Sequence, residues 1–571
     1  MLAEISSSHG LEKVAASEAH LMRQKIAYFS MEMGLSNNIH TYSGGLGVLA
    51  GDTIKSSADL KVPLVGVTLV SKKGHFRQEI TSEGKQVEYP DPWEPSEFMQ
   101  LLSTEVKVQI QKRDVTIRPW LYTVRSQTGG FVSVYFLDTD LEVNSPEDRE
   151  ITSFLYGGDE RYRLKQEIVL GIGGVKTLDA LGIRVRKYHM NEGHSSLLAL
   201  ELLQKNEMDI EKVRNLCVFT THTPIEAGHD KFSYDLVREV LGDHVPLDVL
   251  KRIGGQERLN MTFLALNLSS YHNGVAKRHR DSSKAMFPGY EIRAITNGVH
   301  SYTWTCESFR TLYDKYFPGW ANEPDLLVRA DGILDEDIWR AHEEGKKVLI
   351  EHVNKTTNTA MEYDALTLGF ARRATGYKRM DLLFSDIEKL KRANRRGRIQ
   401  LIFSGIANPK DDSGKRLIEQ IFGYMQKLKE EIKIVYLANY DMDLAAKLVS
   451  GVDIWLNTPL RPLEASGTSG MKAAHNGVIN FSVLDGWWIE GWIEGVTGWA
   501  IGPQPNENVS AEEGRRRELD DLYNKLEYVI VPTFYDKRGE WIRMMKNSIG
   551  KIAYHFNTHR MMQRYATEAY L

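Results

Sequence analysis

Three segments of this 571-residue sequence carry residue types suited to holding an anion. In "GFARRATGYKRMDLL", Arg372, Arg373, Lys378 and Arg379 directly follow an apolar run. Guanidinium groups grip phosphate oxygens in pairs, so a cluster behind a strand suits one or two phosphate groups. A solvated basic face would read the same way. In "HTYSGGLGVLAGD", Gly44, Gly45 and Gly47 stand just before a helical pattern. Bare backbone N–H groups there can approach an anion closely; a tight turn fits equally well. In "PLEASGTSGMKAAHNG", Glu464 opens a loop of small residues, Ala465 to Gly470, and Lys472 falls in the first turn of the helix expected to follow. Free N–H groups at a helix start favour phosphate, and the positive end of the dipole repels an ammonium group. Lys472 is therefore better placed as a neutral amine, able to form an imine with an aldehyde cofactor. A lysine merely exposed on the helix surface remains the plain alternative.

Two histidines follow strand patterns: His194 in "HMNEGHSS" and His222 in "TTHTPIEAGHD". Either can offer neutral donors and acceptors to sugar hydroxyls, or be a satisfied structural residue. No His-x₃-His or similar spacing supports a metal.

These residues need elements to position them. The runs "KIAYFSME", "KVPLVGVTLV", "IRVRKYHMNEGH" and "NLCVFTTHTP" read as strands in the first half, and "ALTLGFARR", "IQLIFSGIA", "IKIVYLANY" and "VDIWLNTP" in the second. Helical stretches such as "SGKRLIEQIFGYMQKLKEE" separate them, which implies βαβ units with parallel sheets. The expected architecture is α/β, with two doubly wound Rossmann-like domains facing across a cleft. Asn-Gly in "AITNGVHSYTW" marks the boundary, so the first domain is expected at 1–297 and the second at 298–545. The last segment, 546–571, reads as helical and is expected to return to the first domain.

Composition narrows the class. With 72 basic and 76 acidic residues the formal charge is −4, which gives no reason to expect nucleic acid or an anionic membrane as partner. Two cysteines, Cys217 and Cys306, exclude a disulfide framework. No long apolar run spans a membrane, and Met1 to Lys25 lacks the apolar centre of a signal peptide; a cytoplasmic protein is expected.

Taken in order, the segments resemble the glycogen and starch phosphorylase family, in its shorter α-glucan phosphorylase branch. "EASGTSGMK" resembles the family's cofactor signature, "RRATGYKR" its phosphate-binding stretch and "YSGGLGVLAGD" its glycine loop; "NEGH", "YHNGVA" and "ITNGVH" match further landmarks. The resemblance runs from about "IAYFSMEMG" to "HFNTHRMMQRY". It implies a glycosyltransferase-B-type fold and a pyridoxal 5′-phosphate enzyme. That enzyme cuts α-1,4-glucan with inorganic phosphate, retaining configuration, to give α-glucose 1-phosphate. The cofactor's 5′-phosphate would act as proton donor and acceptor.

By the same resemblance Lys472 carries the cofactor as an imine. Arg373 and Lys378 meet the substrate phosphate, Gly45 lies at the reacting centre, and Arg372, Gly467 and Thr468 join Gly45 around the cofactor. Gly44, Gly45, Leu46, His194, Asn297, Glu464, Ala465, Ser466 and Gly467 surround the glucosyl unit. No metal is implied, and a homodimer is. Two departures are visible: Thr375 replaces a histidine of the longer members, and Asn191-Glu192-Gly193-His194 replaces Asn-Asp-Thr-His. The first strand lies near the start of the sequence, so control through an N-terminal regulatory segment is not expected. Ordinary glycosidases need a carboxyl pair in set geometry, and no such pair is recognisable. The nearest rival is a sugar-nucleotide-dependent glucan synthase of the same fold. A catalytically silent glucan binder would need no phosphate-binding groups.

Overall fold

The computed structural model describes residues 24–571. The polar stretch before them, read above for the absence of a signal peptide, lies outside the described residues. Two sheets organise the chain. In the first, seven parallel strands run in the order Arg293–Ala294, Tyr271–Gly274, Cys217–Thr220, Val185–Asn191, Lys25–Phe29, Leu64–Leu69 and Phe131–Asp138. Arg113–Arg125 adds antiparallel to the last of these, and Gln100–Leu101 and Val106–Ile110 pair along it. The second sheet is wholly parallel: Lys433–Leu437, Ile399–Ser404, Leu366–Ala371, Ile454–Asn457, Ile479–Val483 and Gly498–Ile501. Counted along the chain this is the order 3-2-1-4-5-6 of a doubly wound nucleotide-binding fold. Its strands are mostly apolar because helices cover both faces; every residue of Leu366–Ala371 and Ile399–Ser404 is buried.

Each sheet has one point where the winding reverses. In the first sheet it falls between Lys25–Phe29 and Val185–Asn191. In the second it falls between Leu366–Ala371 and Ile454–Asn457. Loops leaving adjacent strands diverge there, which opens a crevice at the carboxyl ends. All the segments expected from the sequence to hold an anion follow these strands. The basic stretch leaves Leu366–Ala371, and the Glu464–Lys472 loop leaves Ile454–Asn457. The glycine loop follows Lys25–Phe29, and Glu192 to His194 follow Val185–Asn191.

Side chains tie the two sheet units together beside the crevice. Asp441 caps the helix Met442–Gly451 through Leu444 N, and its other oxygen accepts from Asn37 Nδ2 at 2.9 Å. Gln78 Nε2 donates to the Gly405 carbonyl at 2.9 Å, and Gln86 Nε2 to that of Ala407 at 2.9 Å. Asn297 Nδ2 reaches Ser466 Oγ at 3.1 Å.

The final helix, Thr558–Glu568, packs against the helix Gly45–Asp59. Met561, Met562, Tyr565 and Tyr570 share one apolar core with Ile26, Tyr28, Ile54 and Val134 of the first sheet unit. A polar network lies within it. Thr220 Oγ1 donates to Asn273 Oδ1 at 2.8 Å, so it receives His189 Nε2–H, also at 2.8 Å. His189 Nδ1 is then the acceptor for the Tyr570 hydroxyl at 2.7 Å. Burial keeps the imidazole neutral by pushing it down to about 3. Tyr570→Phe leaves that nitrogen without its donor, and the expected cost is about 1–3 kcal/mol. Urea unfolding measures it; a change under about 0.3 kcal/mol would show that the bond contributes nothing net.

Candidate active site

Glu464 is the hub of the charged groups. Its Oε2 accepts from Lys378 Nζ at 2.6 Å and from Arg372 Nη2. Burial alone would raise this carboxyl, but the two cations hold it down to about 2. Burial and the neighbouring Arg372 push the Lys378 ammonium down to about 7, against the pull of Glu464. One carboxylate thus serves two cations, and more donors remain. Arg372 Nε and Nη1 are buried without a partner, as is Thr375 Oγ1. Arg373 makes no ion pair among the described residues and is exposed. Buried guanidinium donors left unpaired are costly, and an anion beyond Glu464 would offset that cost. Arg379, grouped with these in the sequence, turns away. Its left-handed backbone (φ 51°) aims the side chain at Glu518 and at the carbonyls of Thr458 and Pro459.

The glycine loop closes the site from the other sheet. A Cβ on Gly44 would stand 3.0 Å from Arg373 Nη2, so the start of the helix Gly45–Asp59 meets the basic cluster. Gly44 is the N-cap without a side-chain bond, and the first-turn N–H groups of Gly45, Leu46 and Gly47 have no hydrogen-bond partner among the described residues. Glu32 sets this turn. Its Oε2 accepts from Ser43 N at 2.6 Å and Gly44 N at 3.2 Å, while Oε1 accepts from the Tyr156 hydroxyl at 2.9 Å. Sequence reasoning missed Glu32. Its only signal was a carboxylate immediately after the first strand, at the carboxyl end where such sheets place ligands.

Lys472 lies in the helix Ser469–Ala474, which has six residues, with Lys472 fourth. That corrects the dipole argument: a helix this short leaves Lys472 in its last turn as much as its first. Burial, rather than the dipole, pushes its ammonium down to about 8. The amine sits 3.6 Å from the centre of the Trp304 ring and has no carboxylate partner among the described residues. Trp304 is held in turn by Asp52 Oδ2, 2.8 Å from its Nε1. The loop before Lys472 is tightly fitted. Gly467 has φ +87°, and a Cβ on Gly470 would lie 2.3 Å from Asn480 Oδ1. Thr468 caps the helix by position and accepts Lys472 N through its carbonyl. Trp487 N donates to the Ser466 carbonyl at 2.9 Å. Ala465 lies between Glu464 and Ser466 in this loop.

The histidines sit on the side of the first sheet. His194 Nε2 lies 3.5 Å from Asp230 Oδ2, and its buried Nδ1 has no partner. Burial lowers its pKa, which keeps the ring neutral. His222 Nε2 pairs with Asn191 Oδ1 at 2.6 Å, and burial holds it down to about 4. Glu192 holds this turn through Gly193 N, His222 N and the Thr223 hydroxyl. Asn297, buried beside Ser466, has an unpartnered Oδ1. The structure therefore brings Gly44, Arg372, Arg373, Lys378 and Glu464 into one charged centre. Asn297 borders the Ser466 loop, and His194 lies toward the Glu32–Tyr156 side.

A family model described as carbohydrate phosphorylase matches residues 18–139 and 219–496. The chain belongs to that family, whose members are enzymes of the glycosyltransferase class. It is 40% identical to maltodextrin phosphorylase of Thermococcus litoralis, over 96% of this chain and 70% of the relative. It is 37% identical to glycogen phosphorylase of Aquifex aeolicus, over 96% and 86%, and 35% identical to that of Mycobacterium tuberculosis, over 97% and 72%. The matched stretches of the family model include the glycine loop, Asn297, the basic stretch and the Glu464–Lys472 loop; His194 lies in the gap between them.

Gly45 and Gly47 separate function from packing. A Cβ on Gly45 meets nothing within 4 Å, whereas one on Gly47 meets Glu32 Oε2 and Tyr42 Cβ at 2.7 Å each. Gly45→Ala is expected to leave the melting temperature unchanged or raise it slightly, because the residue is helical. Gly47→Ala is expected to lower it by several degrees. Equal melting temperatures for the two variants in thermal scans would contradict this account of the turn.

Proposed function

We propose that the chain is an α-1,4-glucan phosphorylase, which uses inorganic phosphate to release α-glucose 1-phosphate with retention of configuration. One observation carries the reading: a buried guanidinium, Arg372, has unpaired donors beside Lys378, Arg373 and an open helix start, and burial pushes the ammonium of Lys472, eight residues after Glu464, down to about 8. Family membership and the named relatives support it.

The residues suit pyridoxal phosphate. Lys472 would hold its aldehyde covalently, and the spare donors of Arg372 would take its phosphate. Gly45, Gly467 and Thr468 would supply close backbone. When bound, the cofactor supplies a second phosphate as proton donor and acceptor. Two phosphate charges ~5 Å apart repel by roughly 3 kcal/mol per charge pair at an effective dielectric near 20, so three cations must sit among them. Arg373, Lys378 and the N–H groups of Gly45 to Gly47 then bind the attacking phosphate. Glu464, released from its ion pairs as phosphate takes the cations, is left to accept sugar hydroxyls with Asn297 and His194. Gly44, Leu46, Ala465, Ser466 and Gly467 form the wall around the glucosyl unit. Inorganic phosphate gives its proton to the departing glucan oxygen, and one of its oxygens bonds to C1 as the glycosidic bond breaks. Closure of the two sheet units over bound substrate would keep out water, which would release free glucose.

We further read the chain as two lobes divided near residue 297, working as a homodimer in the cytoplasm. Among the described residues no helix is long and apolar enough to cross a membrane.

Maltodextrin and phosphate with the purified protein should yield glucose 1-phosphate, and Arg373→Met should raise the KM for phosphate at least tenfold while changing the KM for glucan little. Glucan elongation that consumes a nucleoside-diphosphate glucose would select the synthase reading, and unchanged phosphate kinetics in the variant would remove Arg373 from the site.

A further inference from the structure

A cavity of about 280 Å³ lies at the opposite end of the helix Gly45–Asp59 from the glycine turn. Fifteen residues at about 1.5 Å each put it roughly 20 Å from that turn. Leu35 aside, its walls come from three parts of the chain. Lys55 and Asp59 project from the last turns of the helix, Arg125 to Gln127 from the end of a strand, and His300, Thr303 and Asn322 from the stretch after the lobe boundary.

The charges do not balance. Asp59 is fully engaged: Oδ2 accepts from His300 Nε2 at 2.7 Å and His559 Nε2 at 3.0 Å, and Oδ1 from the Ser126 hydroxyl at 2.5 Å. Asp52, one turn before Lys55, is taken by His300 N and Trp304 Nε1. Neither Lys55 nor Arg125 has a carboxylate within ion-pair distance among the described residues. Burial pushes the Lys55 ammonium down in spite of both aspartates, so a negative guest would relieve a real cost.

The same three groups Asp59, His300 and His559 have metal-ligating atoms within 4.8 Å of one another. The cap argues against a metal. Thr303 N–H donates to His300 Nδ1, which fixes the proton on Nε2, the nitrogen that would have to bind an ion. Lys55 beside it repels a cation as well.

We propose that this cavity is a second anion site, which binds a small phosphate monoester of a polyol. Lys55 and Arg125 take the phosphate, and Gln127, Asn322 and the Thr303 hydroxyl take the hydroxyls. The cavity is at the small end of ligand clefts, which suits a sugar monophosphate better than a nucleotide. Because its walls join the glycine-loop helix to both lobes, a bound guest would stiffen that helix from its far end.

Calorimetry with fructose 6-phosphate and the holoenzyme tests the proposal without reference to catalysis. One site per chain is expected, with binding weakened at least tenfold in both Lys55→Met and Arg125→Met and unchanged in Arg373→Met. Exposed Arg125 keeps the test valid even where Lys55→Met fails to fold. Absence of binding to the unmodified protein, binding indifferent to Arg125→Met, or inorganic phosphate binding there as tightly as the sugar ester would each overturn it.

Discussion

Charge compensation at the carboxyl end of the second sheet is the constraint around which this molecule is arranged. Arg372, Arg373 and Lys378 converge there, and among the described residues Glu464 alone pairs with the first and the last of them. A single buried carboxylate can satisfy two cations but not the remaining guanidinium donors, and unpaired donors in a low-dielectric site cost several kcal/mol. Arg372 Nε and Nη1 bear that cost openly. An anion bound there would offset that cost. The perturbed Lys378 has the same origin, since like charges and burial both disfavour its proton.

Topology explains why the groups meet. Both reversals of winding occur where the chemistry-bearing loops begin, so the crevice of each sheet is lined by loops from two strands that are neighbours in space but distant in sequence. Arg373 and Gly44 come within contact range across the two sheets, and the bonds from Asn37, Gln78 and Gln86 to the second unit hold that approach. Glu32 completes it by fixing the turn that carries Gly44.

Much of this was legible beforehand. Alternation of apolar runs with helical stretches located every strand quoted above from the sequence, because parallel strands covered on both faces leave a strong signal. The basic stretch and the small-residue loop could be placed after strands for the same reason. Other features leave no local trace. Glu32 and Tyr156 are 124 residues apart, and the carboxylate that answers Arg372 stands 92 residues away. The His300–Asp59–His559 group is assembled from three distant segments, so no spacing rule could reveal it. Helix length is poorly marked in a run of small residues, so the six-residue helix around Lys472 left no sequence signal; burial, with Trp304 packing from another segment, lowers its ammonium where a helix dipole was expected to.

On the proposed function, Lys472 is a cofactor-bearing amine beside a phosphate-binding centre. Borohydride reduction of the purified protein followed by peptide mass mapping tests it most directly. A phosphopyridoxyl group found on Lys472 is the predicted result. An active protein whose Lys472 peptide is recovered unmodified would contradict the account.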